Sequence, residues 1–75
     1  MAYDFTVVLR GYDRPSVDAA IKSAEDALNS GSDLARASAR DALAGPEFLI
    51  RIRGYDRAQV DQRLSALRQA LDQAR

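Results

Sequence analysis

The side chains in this chain that could do chemistry are carboxylates, guanidiniums, hydroxyls and three tyrosines. Asp13 and Asp18 stand close together beside Tyr12 and Arg14, and Asp56 and Asp61 repeat the arrangement beside Tyr55 and Arg57. Two such carboxylates could hold a divalent cation, or act as acid and base on a glycosidic bond. Arg10, Arg14, Arg53 and Arg57 could grip an anion with paired N–H donors. Other chemistry is excluded. With no Cys and no His, the chain has no thiolate nucleophile, imidazole base, disulfide or common zinc site. Gly11 and Gly54 stand singly, so no glycine-rich loop cradles a phosphate.

The elements that must position these residues explain most of them. In Gly-Tyr-Asp-Arg-x-x-Val, Asp13 and Asp56 sit where a helix N-cap belongs, able to accept from N–H groups two or three residues on. Gln59 follows Asp56 at the spacing of a capping box. Tyr12 and Tyr55 precede the caps, and Val17 and Val60 fall at the fourth helical position, the spacing of a hydrophobic staple. Gly11 and Gly54 give the strand-to-helix bend freedom in φ, and Pro15 is tolerated in a first helical turn. Asp18 and Asp61 lie near the positive end of the helix dipole and within reach of Arg10 and Arg53. The motif therefore reads first as a corner, with one-turn carboxylate spacing as ordinary capping. Catalytic, cofactor-binding and metal-ligating residues are assigned to none, and no small-molecule substrate is expected. Only the arginines lack a local role, which leaves Arg10, Arg14, Arg53 and Arg57 as candidate partner- or lipid-contacting residues.

The corner occurs twice. Residues 5–28 and 48–71 align without a gap, and ten of the 24 pairs are identical, Arg-Gly-Tyr-Asp-Arg among them. In each copy Phe5, Val7, Leu9 and Phe48, Ile50, Ile52 alternate with the residues between them, the period of a half-buried strand. Those six are expected to line one buried sheet face. Val17, Ile21, Ala24, Leu28 and Val60, Leu64, Leu67, Leu71 then follow at helical spacing. Between the copies, Asn29-Ser30-Gly31-Ser32 reads as a helix stop with a new N-cap at Ser30 or Ser32. A short helix is expected over 33–44, ended by Gly45 as a left-handed cap and Pro46 as a stop. The fold class that results is α+β. It is one domain of order β-α-α-β-α, a small two-stranded sheet, antiparallel favoured, with helices on one face and an internal pseudo-two-fold repeat.

A chain of 75 residues has a marginal core. Two thin strands cannot cover both helical stripes, so self-association or a protein partner is expected. Eleven basic and eleven acidic residues cancel, which argues against nucleic acid, whose binding needs an excess of cations. A patch of Arg10, Arg14, Arg51, Arg53 and Arg57 with stacking tyrosines is diluted by the four motif aspartates. Met1-Ala2-Tyr3-Asp4 shows no signal-peptide pattern and no apolar run approaches a membrane span, so a cytoplasmic location is expected.

Phe…Arg-Gly-Tyr-Asp…Val-Asp…Leu, present twice, resembles the N-terminal domain of the DivIVA family of bacterial division-site and cell-pole proteins. The resemblance covers about two-thirds of the chain. It implies a non-enzymatic head domain that dimerises, leads into a long coiled coil and meets curved, anionic membrane at the Arg-Gly step. Leu9-Arg10 and Ile52-Arg53 occupy that step here, where well-studied members place Phe before Arg. No long coiled coil follows the second motif. The function expected is a protein–protein adaptor in cell division or polar growth, at the membrane, septum or pole. The alternative is a membrane-surface module using the two Arg steps. Strand alternation places Leu9 and Ile52 inward, which favours the adaptor.

Overall fold

The computed structural model describes residues 5–45 and 47–73. Each copy's expected strand is broken in two. The order is β1 (Val7–Val8), β2 (Gly11–Tyr12), α1 (Arg14–Asn29), α2 (Asp33–Leu43), β3 (Ile50–Arg51), β4 (Gly54–Tyr55) and α3 (Arg57–Gln73). The class is α+β and the element order is as expected, but the sheet has four short antiparallel strands, ordered β1-β4-β2-β3. Every strand pairing crosses from one copy to the other. Val7 pairs with Tyr55 and Val8 with Gly54, while Gly11 pairs with Arg51 and Tyr12 with Ile50. Tyr12 and Tyr55 face each other at the centre.

Bends at 9–10 and 52–53 let the two chain segments exchange places in the sheet. Gly11 and Gly54 meet there. A Cβ built on Gly11 would lie 2.3 Å from the carbonyl carbon of Gly54, and one on Gly54 would lie 2.4 Å from that of Gly11. No side chain fits in that space. Close backbone approach, rather than the expected freedom in φ, is what requires glycine here. Gly31, at φ 72°, is the residue with positive φ among those described. It, and not Gly45, supplies the left-handed turn after a helix. Pro46 lies outside the described residues.

The helix starts follow the sequence. Asp13 caps α1, accepting from the Ser16 N–H at 3.3 Å, with Pro15 in the first turn. Ser32 caps α2 and Asp56 accepts from the Gln59 N–H at the start of α3. Gln59 does not complete a capping box. Its side chain turns to Thr6, just before β1, where Oε1 accepts from the Thr6 N–H at 2.7 Å and Nε2 donates to the Thr6 hydroxyl.

Val17, Ile21 and Ala24 of α1 are buried with Val60, Leu64, Leu67 and Leu71 of α3, and Leu43 of α2 joins them. Leu28, Tyr12, Phe5 and Phe48 pack against this cluster. The two stripes thus form one core with help from α2, and bare helix faces no longer call for a second chain. Arg36 of α2 is the buried charged residue among those described. It pairs with Asp33, while its Nε has no partner among the described residues.

The expected buried face is not formed as a unit. Phe5 and Phe48 are half-buried, Val7 and Ile50 are 46% and 48% exposed, and Leu9 and Ile52 are 74% and 81% exposed. Strands β1 and β3 are the sheet margins, so Val7 and Ile50 lack a neighbour on one side. The bends end the two-residue alternation before it reaches Leu9 and Ile52. Among the described residues no helix is long and apolar enough to cross a membrane.

Candidate docking site at the two bends

The four motif carboxylates are each occupied by protein donors. Asp13 accepts from the backbone and hydroxyl of Ser16, and from Arg51 Nε at 3.1 Å. The Ser16 hydroxyl first, and Arg51 after it, hold the Asp13 carboxyl below the usual carboxylate range. Asp18 accepts from the Tyr55 hydroxyl at 2.8 Å and Asp61 from the Tyr12 hydroxyl at 2.9 Å. Desolvation, followed by the bond to Asp61 and its charge, pushes the Tyr12 phenol up. Asp18 and Asp61 are therefore bound by tyrosines of the opposite copy, and not by Arg10 and Arg53 as the sequence spacing suggested. Among the described residues no cluster of three or more acidic side chains offers a metal site.

The tyrosines join the two copies in a second way. Phe5 tilts against Tyr55 with ring centroids 5.1 Å apart, and Tyr12 meets Phe48 at 5.2 Å. Tilted rings at that separation put positive edges on negative faces. Gly11, Tyr12, Asp13 and Val17 thus build a corner together with Gly54, Tyr55, Asp56 and Val60, each copy completing the other. Tyr12 packs against the cluster that contains Val17, and Tyr55 is buried in the cluster that contains Val60.

The arginines are what this scaffold leaves over. Among the described residues Arg10, Arg14, Arg53 and Arg57 make no ion pair. All four are exposed. Arg10 of the first copy and Arg57 of the second line one groove of about 460 Å³, together with Ile50, Arg51 and Ile52. Arg10 and Arg57 also border a neighbouring recess with Asp56 and Asp61. Arg14 and Arg53 do not line that groove.

Sequence reasoning missed one part of this site, the exposure of Leu9 and Ile52, which set aliphatic surface directly beside Arg10 and Arg53. Arg51 was named only in the patch weighed for nucleic acid, and its place in one groove with Arg10 comes from a crossing of segments that no local pattern announces. One signal existed: at the position equivalent to Arg51 the first copy carries Val8, so the two bends differ in charge. Comparison with known proteins adds nothing further, since no protein-family model, curated protein or solved structure matches this chain.

Proposed function

We propose that this chain is a non-enzymatic docking module, similar to the DivIVA head, that serves as an adaptor in bacterial cell division or polar growth. Its working surface is the pair of bends. One observation carries the reading: Leu9 and Ile52 are exposed next to Arg10 and Arg53, in a fold that commits its motif aspartates and tyrosines to internal bonds. Apolar and cationic groups side by side, in a chain without thiolate or imidazole, suit recognition of a surface. We further read the chain as an internal pseudo-dimer. In support, Val7 with Tyr55 and Ile50 with Tyr12 are equivalent pairs under the repeat, as are the two tyrosine–aspartate bonds.

The same exposure favours a second reading, a membrane surface as the target. Leu9 and Ile52 would supply the apolar signal that charge alone lacks. Burying each is worth about 1.5–3 kcal/mol, and each Arg near an anionic surface adds about 1 kcal/mol. That sum supports reversible attachment of the kind one acyl chain gives.

The experiment pairs localisation with vesicle binding. A fluorescently tagged copy in its native cell should gather at septum or pole and become diffuse when Leu9→Ser and Ile52→Ser are combined. Co-sedimentation with vesicles of an anionic phospholipid then separates the targets. Salt-sensitive binding lost in that variant, and in Arg10→Ala/Arg53→Ala, selects the membrane. Foci without vesicle binding select a protein partner. A diffuse wild type would reject the module in both forms.

A further inference from the structure

Strand β3 lies at a margin of the sheet and pairs with β2 on one side alone. Leu49, just before it, gives its carbonyl to the Asp13 N–H at 2.9 Å, on the side of β2. Successive residues of an antiparallel strand turn their backbone groups to opposite sides. Ile50 therefore offers its N–H and C=O to the open side. Ile50, Arg51 and Ile52 are all exposed, so that edge is within reach of a partner. An open strand edge is a template for another strand.

The groove along this edge is cationic. Arg10, Arg51 and Arg57 line it with Ile50 and Ile52, and no carboxylate lines it among the described residues. Arg10 and Arg57 make no ion pair there. The Arg51 bond to Asp13 takes Nε, one of the five N–H donors a guanidinium carries. The neighbouring recess does contain Asp56 and Asp61, but these accept from the Gln59 N–H and the Tyr12 hydroxyl. The opposite margin differs in charge: β1 and its bend read Val7-Val8-Leu9 where β3 and its bend read Ile50-Arg51-Ile52.

We infer that the groove takes an extended acidic peptide, in which aliphatic and acidic residues alternate, as a fifth strand on the free edge of β3. The inference rests on the docking reading and names the chemistry of its partner. Residues opposite each other on neighbouring strands share a face and interact there. Ile50-Arg51-Ile52 thus asks for aliphatic, acidic and aliphatic residues across the edge. In strand addition the main-chain bonds give attraction and the side chains give selectivity. A two-residue strand offers few main-chain bonds, so charge carries much of the recognition. Arg10 and Arg57 can each grip a carboxylate with paired N–H donors. A membrane surface fits this edge less well, since it has no backbone to pair with Ile50 and no alternation to match.

The probe is a fluorescent, end-capped peptide of about six residues, the usual strand length, in which Val and Glu alternate. Polarisation should show saturable one-to-one binding that weakens with added salt. The same residues arranged in two blocks, or Val alternating with Lys, should bind at least roughly tenfold worse. Hydrogen exchange at the Ile50 amide should slow when the Val–Glu peptide is bound. Arg10→Ala and Arg57→Ala should each weaken binding roughly tenfold, the scale of one charge-assisted hydrogen bond, with melting unchanged. Arg57→Glu should shift preference toward the Val–Lys peptide. No binding of the Val–Glu peptide, or equal binding of the block peptide, would overturn the inference. Binding to vesicles of an anionic phospholipid without peptide binding would overturn it too, and give the groove to a membrane. Septal or polar foci lost in Leu9→Ser/Ile52→Ser, with no peptide binding, would keep the docking reading and remove this occupant alone.

Discussion

The helical end and the sheet end of this molecule treat the same kinds of residue in opposite ways. In the helices, Val17, Ile21 and Val60 have no exposed surface. At the bends, Leu9 and Ile52 keep most of theirs. Both sets sit in apolar periodicities of similar strength. What differs is whether the period persists. A helix of sixteen or seventeen residues repeats its stripe over several turns, so two stripes can close on each other. A two-residue strand offers alternation nothing to repeat over. Stability therefore concentrates in the helices and in the crossing, which leaves the bends available for contact.

The division can be broken hardest from the helical side. Ile21→Ala removes a fully buried side chain from the α1–α3 core and should cost about 2–5 kcal/mol. In a domain of this size that is a large part of the whole stability. Urea unfolding followed by circular dichroism measures it. A midpoint close to wild type would mean that the stripes are not the main core.

The crossing should come next. Gly54→Ala places a methyl group against the backbone of Gly11, and the two segments must part to admit it. Overpacking of this kind costs about 1–3 kcal/mol or more, and here it also pulls on both tyrosine–aspartate bonds. The same substitution at Gly45, where an added Cβ meets no other described residue within 4 Å, should be almost silent in the same melt.

That contrast shows how much was legible in advance. Asp13 and Asp56 as caps, α2 over 33–43 and the two heptad-like stripes were readable, because each is a local pattern with a local cause. The antiparallel sense of the sheet was readable as well. What was not readable depends on the crossing. Residues 9 and 52 lie inside runs that look like continuous strands, and only the exchange at Gly11 and Gly54 breaks them. Gln59 was read as a partner for its own helix start, yet it holds Thr6 of the other copy. Asp18 and Asp61 lie within sequence reach of Arg10 and Arg53, yet they take phenols from across the sheet. Sequence spacing ranks neighbours along the chain and is blind to an intertwined partner. The candidate site suffered most, since Arg10 and Arg51 meet only because the segments cross.

Asp13 gives a smaller effect at the junction of the two regions. Its carboxyl is held low by Ser16 and then Arg51, so the ionised form is favoured in the fold. A depressed carboxyl contributes stability above its unfolded value, near pH 4, and loses it as pH falls through the folded value. Asp13→Asn keeps the capping oxygen and removes the charge. It should flatten the acid limb by lowering stability at neutral pH, with variant and wild type converging below about pH 4. An acid limb identical in variant and wild type would place the acid sensitivity in other carboxylates.

The smallest expected effect on stability sharpens the comparison furthest. Leu9→Ser and Ile52→Ser alter two large aliphatic residues that the fold leaves 74% and 81% exposed. Neither lies in a strand pairing or in the buried cluster. Surface substitutions away from packing and hydrogen bonds stay within about 0.5 kcal/mol, and each here should do the same. The bends differ in one respect: Ile52 lines the groove with Arg10, Arg51 and Arg57, so the Ile52 change should disturb any anion seated there more than the Leu9 change. Melting temperature and vesicle or partner binding, measured on both single variants and the pair, test the division. Unchanged melts with lost binding would fix the bends as contact surface. A drop of several degrees for either single variant would mean that its side chain is packed against something in solution, and the bends would then belong to the core after all.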